Sequence, residues 1–446
     1  MPEHTTILLS PLARLLEEKL RARTVHVGII GLGYVGLPLA MAFAQAGVRV
    51  TGVDVDASKC ARLNAGESTV EDVSSASLAT ALAAGRFRAT ADYAALSECD
   101  VAIICVPTPL SKSKSPDISY ILAAAEGLAP QVHEGMLVVL ESTTYPGTTE
   151  EVLLPRLVAR GFRPGEEVFL AYSPERVDPG NRRYHIGNTP KVVAGLTPTC
   201  RALAEALYGL IVERVVPVSS LAAAEMCKIL ENTFRAVNIG LVNEMAQICH
   251  RLGLDVWEVI AAASTKPFGF MPFYPGPGLG GHCIPIDPLY LTWKMRTLGM
   301  QTRFIELADV INGEMPHYVV SRLQDALNER GCPLKGTHIL ILGVAYKRDV
   351  GDVRESPALP IIAALRARHA LVAYHDPYVP TLTLEDGECL SSIALTAKAL
   401  EKADAVLIHT DHTAYDWPWI AQHARLIFDT RNALAGIPAK GKVVRL

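Results

Sequence analysis

A glycine-rich turn near the amino terminus is the feature that most constrains the fold. Residues 26–36 read HVGIIGLGYVG, in which Gly31, Gly33 and Gly36 form a G-x-G-x-x-G pattern. The pattern follows an apolar run and opens an Ala-rich stretch, which predicts a strand, a turn and a helix. The first glycine permits the tight turn, the second lets a ligand reach the backbone, and the third lets helix and strand pack closely. The helix start favours an anion, so we expect a dinucleotide here.

An acidic residue after the next apolar run bears on which dinucleotide binds. Arg49–Val53 form that run, and Asp54 follows directly. An acid about 20 residues beyond the glycines accepts hydrogen bonds from the adenine ribose and repels a 2′-phosphate. This favours NAD over NADP, although Arg49 and Lys59 are nearby cations that keep NADP open. A glycine turn that serves packing alone is the other alternative.

Short Val- and Ile-rich runs alternate with Ala- and Leu-rich stretches in the first half of the chain. Strands that are apolar throughout and alternate with helices are typical of a parallel sheet covered on both faces. Ligands gather at the carboxyl ends of such strands. Residues 106–109 (VPTP) and 141–144 (ESTT) follow two of these strands, and they either line the same crevice as the glycine turn or form ordinary turns. The predicted strands are His26–Ile30, Arg49–Val53, 101–106, Leu137–Leu140, 168–171 and 192–194.

Residues 219–252 predict one long helix, because they are rich in Ala, Glu, Met and Leu and contain no proline. Such a helix needs a partner for its apolar faces, either between two domains or across a dimer interface. Lys228 and Asn232 share one face, and Arg235 continues the same stripe. The stripe is either a solvated polar face or a cation and an amide that point into a cleft.

The Pro- and Gly-dense residues 267–288 predict a long irregular segment, and such a segment is usually functional in a compact enzyme. It contains Cys283 within the sequence GGHCIPID. Most free cysteines are inert buried hydrophobes, and the others in this chain fit that description. Cys283 differs because the glycines beside it let a ligand approach. His282 is a weaker candidate for a base, because a sequence neighbour often points away.

A second α/β pattern begins near Tyr318, and an extra helix at the amino terminus places Leu12, Leu15, Leu16 and Leu20 on one stripe. The fold class predicted for the whole chain is α/β, with two Rossmann-like, doubly wound parallel-sheet domains joined by a central helical domain with one long helix. In the second pattern we predict a helix over 357–368 and strands over His338–Leu342, 371–374, 405–409 and 426–428.

Composition narrows the functional classes. The formal net charge is −4 and no run of Lys or Arg occurs, which argues against a nucleic-acid surface. No apolar run approaches the roughly 20 residues of a membrane span, and the amino terminus does not resemble a secretory signal. The nine cysteines include no CxxC pair. We therefore expect a cytoplasmic protein with neither disulfides nor a metal site.

Seven segments in this order resemble the UDP-glucose/GDP-mannose dehydrogenase family. They are 31–36 (GLGYVG), 106–109 (VPTP), 141–143 (EST), 173–176 (SPER), 225–232 (EMCKILEN), 280–283 (GGHC) and 347–356 (KRDVGDVRES). The resemblance implies an N-terminal NAD-binding domain, a central helical domain that forms a dimer, and a C-terminal domain that binds the UDP-sugar. After an N-terminal extension helix at 1–21, these domains correspond to residues 22–215, 216–315 and 316–446.

The resemblance also implies an enzyme that uses two NAD to oxidise the C6 alcohol of a UDP-sugar to a carboxylate. Cys283 is then the nucleophile that forms a thiohemiacetal and a thioester, with Lys228 and Asn232 beside the reacting oxygen. A neighbour of the cysteine and two residues that place or activate water complete the implied catalytic set: Asp287, Glu175 and Thr143.

The implied binding residues fall into two groups, and no metal is implied. Those for the cofactor are Gly31, Gly33, Tyr34, Val35, Gly36, Asp54, Lys59, Pro107, Thr108, Ser142, Thr143 and Arg354. Those for the UDP-sugar are Glu175, Arg176, Lys228, Asn232, Arg235, Tyr274, Gly280, Lys347 and Arg348. The implied partner is a second copy of the chain, in a homodimer or a higher homo-oligomer.

Residues 269–288 and 302–306 (TRFIE) resemble the subgroup that acts on UDP-N-acetylglucosamine, and Ile286 stands where UDP-glucose enzymes have lysine. This favours UDP-N-acetylglucosamine, with UDP-N-acetylmannosamine, UDP-N-acetylgalactosamine and UDP-glucose as alternatives. The product would feed surface polysaccharide synthesis. Two rival classes are a two-electron hydroxy-acid dehydrogenase, which needs no cysteine, and an NAD-binding scaffold or redox sensor without turnover.

Overall fold

The computed structural model describes residues 9–70, 72–111, 114–176, 181 and 183–446. The chain divides into two compact units: residues 1–231 with 296–298, and residues 232–295 with 299–446. The division falls within one long helix, α8 (Leu221–Leu252), which has 32 residues. In the part of the chain described, no helix has both the length and the apolar character that crossing a bilayer requires.

The first unit is an α/β sandwich. Its strands are β1 (His26–Ile30), β2 (Arg49–Val53), β3 (Phe87–Thr90), β4 (Val101–Ile104), β5 (Leu137–Leu140), β6 (Phe169–Tyr172), β7 (Lys191–Gly195) and β8 (Val215–Pro217). Its helices are α1 (Pro11–Ala22), α2 (Gly36–Gln45), α3 (Ala57–Asn64), α4 (Ser75–Ala83), α5 (Ser119–Leu128), α6 (Leu154–Ala159) and α7 (Pro198–Tyr208). Short 3-10 helices cover Tyr93–Glu98 and Ala129–Gln131, and a π-helix covers Thr149–Leu153.

The sheet of the first unit has the order β3-β2-β1-β4-β5-β6-β7-β8. All neighbouring strands are parallel except β6 and β7, which pair antiparallel. The strand order reverses between β1 and β4, and ligands of such sheets bind at the carboxyl ends of the strands at this point. The strands β1, β4, β5 and β6 are buried throughout, because their side chains contact helices on both faces.

The predicted N-terminal helix is present as α1, and residues 1–8 of the predicted segment lie outside the described residues. One residue of its stripe was assigned wrongly. Ser10 caps α1 by accepting from the Ala13 N–H at 3.2 Å, and Leu16 and Leu20 are buried in the core. Leu15 is instead 52% exposed. Ala13, rather than Leu15, completes the buried face of α1, because the helix lies so close to the domain that a methyl group fills the space.

The second unit contains the rest of α8, three further helices and a smaller α/β domain. Its other helices are α9 (Val256–Ala263), α10 (Asp287–Thr297), α11 (Arg303–Asn328), α12 (Ala358–Ala367), α13 (Ala397–Lys402) and α14 (Trp417–His423). Its strands are β9 (His338–Leu342), β10 (Leu371–His375), β11 (Thr381–Thr383), β12 (Cys389–Ser391), β13 (Ala405–Ile408), β14 (Leu426–Asp429) and β15 (Lys442–Arg445).

The main sheet of the second unit is parallel throughout, in the order β10-β9-β13-β14-β15, and β11 and β12 form a separate hairpin. The predicted α/β class with two parallel-sheet domains and one long central helix is therefore confirmed. The predicted boundary between residues 315 and 316 falls inside α11, which continues through Pro316 to Asn328. The domain boundaries themselves stay predictions.

Candidate active site

The glycine turn after β1 is shaped by two close approaches of the backbone. Gly31 has φ of +93°, and its N–H donates to the Val53 carbonyl at 2.7 Å. A Cβ on Gly36 would lie 1.8 Å from the Gly31 carbonyl oxygen, so α2 starts here only because residue 36 is glycine. A Cβ on Gly33 would meet no protein atom within 4 Å. The backbone at Gly33 therefore faces open space, as the approach of a pyrophosphate requires.

Asp54 follows β2 and is anchored on the same turn. Its carboxylate accepts from the Leu32 N–H at 2.9 Å and from the Asp56 N–H at 3.0 Å, and it pairs with Lys59 Nζ at 2.8 Å. Burial pushes the pKa of Asp54 upwards, but the hydrogen bonds and the Lys59 charge outweigh it and hold the pKa below its ordinary value. Lys59 is thus paired with Asp54, and this ion pair makes Lys59 less available to a 2′-phosphate.

The ends of β4 and β5 are fastened to each other by Ser142. Its hydroxyl donates to the Val106 carbonyl at 2.7 Å and accepts from the Val106 N–H at 2.9 Å. Pro107 is exposed, while Thr108 and Thr143 are half-buried. In the turn itself, Tyr34 and Val35 are also half-buried. The two loops predicted as parts of one crevice therefore meet at their bases, beside the glycine turn.

A buried polar cluster lies at the ends of β5 and β6 and the start of β7. Lys191 Nζ donates to Glu141 and lies 3.7 Å from the Glu175 carboxylate, and the Tyr208 hydroxyl donates to Glu141 at 2.5 Å. Burial, the largest influence, raises the pKa of Glu141, while the Lys191 ammonium and the Tyr208 hydroxyl oppose that shift. Of these groups, Glu175 was predicted as catalytic, whereas Lys191 and Tyr208 were missed.

Residues near the start of α8 are held by further polar contacts within the first unit. Arg176 donates to the Pro190 carbonyl at 2.7 Å and pairs with Glu231 at 2.5 Å. Glu225 accepts from the Gly147 N–H and the Thr149 N–H at 2.5 and 2.9 Å. Lys228 is buried, so the predicted stripe on α8 is not a plain solvated face.

Cys283 lies in the second unit, in a half-buried turn that leads into α10. Its carbonyl accepts from the Ile286 and Asp287 N–H groups at 3.1 and 2.8 Å. The preceding Gly281 has φ of +86°. A Cβ on Gly280 would lie 2.6 Å from the Tyr346 Cβ, and one on Gly281 would lie 2.8 Å from the Tyr346 ring. The glycines are needed for this loop to pack on Tyr346.

Two of the predicted catalytic side chains touch each other. The Asn232 amide donates to the buried Asp287 carboxylate, and Arg235 donates to the Asn232 amide oxygen. Asp287 lies four residues after Cys283, at the first position of α10. This chain of contacts fixes the orientation of the Asn232 amide. It also occupies one of the hydrogen-bond donors of Asn232 that was expected to face a reacting oxygen.

Arg354 connects the cysteine loop to the segment after β9. Its carbonyl accepts from the Gly281 N–H at 3.0 Å, and its guanidinium lies 3.3 Å from His282 Nδ1. The guanidinium also pairs with Asp352 at 2.6 Å. Arg354, predicted to contact the cofactor, therefore lies directly beside the residue that precedes Cys283.

The other residues predicted to bind the sugar nucleotide are spread more widely. Arg348 pairs with Asp411, and Lys347 is half-buried beside it. Tyr274 is exposed and stacks on Trp257, with ring centroids 6.0 Å apart. In the second unit, Asn232, Arg235 and Asp287 form one group of contacts that includes the Cys283 carbonyl. Gly280 lies in the loop that precedes Cys283, and Arg354 contacts that loop. Tyr274 and Arg348 make contacts with residues outside these two groups.

Comparison with known proteins identifies this arrangement. Three models of the UDP-glucose/GDP-mannose dehydrogenase family match in order: the NAD binding domain over residues 25–212, the central domain over 222–314 and the UDP binding domain over 340–436. The chain belongs to the UDP-glucose/GDP-mannose dehydrogenase family. It is accordingly an NAD-dependent oxidoreductase that acts on a nucleotide sugar.

Individual members of the UDP-glucose/GDP-mannose dehydrogenase family are similar over most of the chain. The UDP-N-acetyl-D-glucosamine 6-dehydrogenase of Pseudomonas aeruginosa is 37% identical over 359 residues, which is 80% of this chain and 84% of that protein. The UDP-N-acetyl-D-mannosamine dehydrogenase of Salmonella typhi is 36% identical over 429 residues, covering 91% and 98%. The structure of UDP-D-ManNAc dehydrogenase from Pyrococcus horikoshii superposes with a TM-score of 0.86 at 33% identity, covering 94% and 98%.

One half-buried cation in the UDP binding domain of this family member was also missed. Arg431 donates to the His409 carbonyl at 2.8 Å, and a Cβ on Gly276 would lie 2.7 Å from its guanidinium. Burial, the largest influence, lowers the pKa of Arg431 to about 10, and the group is still a cation at neutral pH. The sequence feature that could have indicated this cation is the end of an apolar strand, where Asp429 and Arg431 occur together.

Proposed function

We propose that this dehydrogenase oxidises the C6 hydroxyl of UDP-N-acetyl-D-glucosamine to a carboxylate, with Cys283 as the nucleophile. The observation that carries the proposal is the glycine loop, which presents Cys283 at the start of α10 beside the Asn232–Asp287 pair. The similarity to the Pseudomonas enzyme and the amino-acid sequence of residues 269–288 favour this sugar. Similarity to the Salmonella enzyme supports UDP-N-acetylmannosamine as the second candidate.

Residues of the first unit fit an NAD molecule. Gly31 shapes the turn, Gly33 and the start of α2 offer backbone N–H groups to its pyrophosphate, and Asp54 offers an acceptor to its adenine ribose. Tyr34, Val35, Lys59, Pro107, Thr108, Ser142, Thr143 and, from the second unit, Arg354 complete the proposed set. NAD supplies a hydride acceptor, and the four-electron oxidation consumes two NAD per sugar.

The residues of the chain supply the remaining chemistry. After the C6 alcohol becomes an aldehyde, the Cys283 thiolate adds to its carbonyl carbon and gives a thiohemiacetal, which is a competent hydride donor. Loss of the second hydride leaves a thioester. Water, placed with the help of Thr143, then attacks the thioester carbon while Glu175 accepts its proton, and the carbon–sulfur bond breaks to release the acid and the thiolate.

Lys228 and Asn232 take the role of stabilising the negative charge that develops on the reacting oxygen. A cation and an amide donor in a site that excludes water contribute far more than they would in solution. Asp287 orients Asn232 through the contact described above. Arg176, Arg235, Tyr274, Gly280, Lys347 and Arg348 form the proposed set that binds the UDP-sugar.

We further propose that the protein forms a homodimer or higher homo-oligomer in the cytoplasm. Large apolar side chains recur on one face of α8 at Leu241, Ile248 and Leu252, and on α11 at Phe304 and Leu307, and all are exposed. Large apolar side chains that recur in exposed positions on one helix face are typical of interaction surfaces. Light scattering should give at least twice the mass of one chain, and a monomer at micromolar concentration would reject the proposal.

The central test counts NADH against substrate. Purified enzyme should release two NADH per UDP-N-acetylglucosamine consumed, and a panel of UDP- and GDP-sugars should rank this sugar first by kcat/KM. Cys283→Ala should lower acid formation by at least about 1000-fold, because the thiohemiacetal cannot form. Cys332→Ala, at another half-buried cysteine of the same unit, is the matched control and should behave as wild type. One NADH per sugar, or an active Cys283→Ala, would reject the mechanism.

A further inference from the structure

The buried cluster around Lys191 brings several ionisable groups together. It comprises Cys105 after β4, Glu141 after β5, Glu175 after β6, Lys191 at the start of β7 and Tyr208 on α7. Because β7 runs antiparallel to β6, with Tyr172 opposite Ala194, continuing the register places Lys191 opposite Glu175. A lysine that enters the sheet at this point reaches the edge where the parallel strands end.

Within the cluster, Lys191 connects two carboxylates. Its ammonium donates to Glu141, lies 3.7 Å from Glu175 and lies 5.2 Å from the centre of the Tyr208 ring. Burial lowers the pKa of Lys191, but the charges of Glu141 and Glu175 outweigh it and hold the pKa above its ordinary value. Lys191 is therefore a cation throughout the working range of pH.

The other members of the cluster hold this cation in place. Glu141 is fully buried and accepts from both Lys191 and the Tyr208 hydroxyl. Burial also raises the pKa of the Cys105 thiol well above its ordinary value, so this sulfur adds no negative charge. Opposite charges a few ångströms apart favour each other's ionised forms when water is excluded. The contact of Lys191 with Glu175 thus favours the carboxylate form that a general base requires.

We propose that Lys191 is a positioning residue for thioester hydrolysis, which holds Glu175 as an oriented carboxylate and is itself anchored by Glu141 and Tyr208. This inference rests on the proposed role of Glu175. It differs from a purely structural ion pair, because it requires the two carboxylates to compete for one ammonium. Removing Lys191 and removing the charge of Glu141 should therefore change the pH dependence in opposite directions.

The experiment compares the pH profile of kcat for acid formation in Lys191→Met, Lys191→Arg and Glu141→Gln. Lys191→Met should move the acidic limb upwards by about one pH unit, and Glu141→Gln should move it downwards, because Lys191 then serves Glu175 alone. Lys191→Arg should restore the wild-type limb. Intact-mass measurement during turnover should show the Cys283 thioester accumulating in Lys191→Met, since hydrolysis becomes the slow step.

A matched control separates this effect from a general loss of stability. Lys19→Met removes another ion pair of the same unit, between Lys19 and Asp100, and should leave both the profile and the masses unchanged. Limbs that do not move in Lys191→Met and Glu141→Gln would overturn the inference. If Lys191→Met does not fold, an acidic limb of Glu141→Gln that stays in place or moves upwards overturns it alone.

Glu175→Gln distinguishes failure of this inference from failure of the proposed function. A slow Glu175→Gln variant that accumulates the thioester, together with unmoved limbs in the other variants, rejects only the role of Lys191. A Glu175→Gln variant that forms acid at the wild-type rate rejects the role of Glu175 and, with it, the inference.

Discussion

Each of the two main sheets begins with a strand that a glycine turn follows, and the two turns start alike. Gly31 and Gly343 have φ of +93° and +76°, and their N–H groups donate to Val53 and His375 at 2.7 and 2.9 Å. After the second strand of each sheet an aspartate, Asp54 or Asp376, accepts from the backbone of the turn at 2.9 or 2.7 Å. Both domains therefore close their first turn with the same backbone clamp.

Beyond the first glycine the two turns diverge. The first turn continues with Gly33, which faces open space, whereas the second continues with the buried Ala345. Asp376 is fully occupied: it accepts from four backbone N–H groups and faces His412 Nε2 at 3.1 Å. Since His412 Nδ1 accepts from the Asp349 N–H, its proton lies on Nε2 and is donated to Asp376. One scaffold thus yields an open turn for a ligand and a closed turn that serves the fold.

The largest effect should come from the glycine that sets the first turn. Gly36→Ala places a Cβ 1.8 Å from a carbonyl oxygen, so α2 must shift. We expect a loss of about 3 kcal/mol, or roughly 6 to 12 °C in the midpoint of thermal unfolding, together with loss of NAD binding. Circular dichroism and NAD titration measure the two effects. A variant with wild-type stability would show that the turn tolerates a side chain.

The closed turn should respond through stability rather than ligand binding. Asp376→Asn should cost about 2 to 3 kcal/mol, because buried N–H groups lose a charged acceptor, and should leave NAD affinity unchanged. Burial, the largest single influence, pushes the pKa of Asp376 upwards, but the hydrogen bonds from His412 and the backbone together outweigh it and hold the pKa below its ordinary value. Its stabilisation is therefore present above about pH 4 and is lost as the pH falls further. Thermal melts from pH 7 to 3 should show a shallower acid dependence in the variant than in wild type.

The open turn should show the reverse pattern. Gly33→Ala adds a methyl group where no protein atom lies within 4 Å, so the unfolding midpoint should stay within about 2 °C. NAD affinity should fall about tenfold, because the methyl group occupies the approach path of the pyrophosphate. Isothermal titration with NAD gives the affinity. Unchanged affinity would mean that the ligand does not approach the backbone at this glycine.

The smallest effect should come from Lys59, which pairs with Asp54 and is partly exposed. Lys59→Met should change the KM for NAD by less than about threefold, because partly exposed ion pairs contribute roughly 0 to 1 kcal/mol. The ratio of kcat/KM for NAD over NADP should remain above one. A reversal of that preference in wild type would make Lys59, rather than Asp54, the residue that selects the cofactor.

The fold was predictable wherever an element carries its own pattern. The strands His26–Ile30, Arg49–Val53, Leu137–Leu140 and His338–Leu342 have the predicted bounds, because after a polar first residue in three of them their residues are mostly apolar and buried on both faces. The edge strands β3 and β15 were missed. Phe87–Thr90 alternates buried and exposed residues, and Lys442–Arg445 is mostly half-exposed, so neither forms a continuous apolar run.

The candidate site was predictable where a motif is local, and unpredictable where it is assembled by the fold. Gly31, Asp54 and Cys283 stand in short segments with a recognisable order. Lys191 lies in a Val-rich strand and meets Glu141 across 50 positions of sequence, and nothing near it indicates that contact. The antiparallel reversal of β7, which places Lys191 at the ligand edge, was not foreseen.

The burial of most cysteines has a practical consequence for the chemistry of damage. Cys60, Cys99, Cys105, Cys200 and Cys249 are enclosed, and burial raises the pKa of Cys99 to about 12. Thiols that stay protonated react slowly with peroxides and alkylating agents. Oxidative stress is therefore channelled to the more accessible sulfurs, of which Cys283 is one, so inactivation by a peroxide should precede any unfolding of the core.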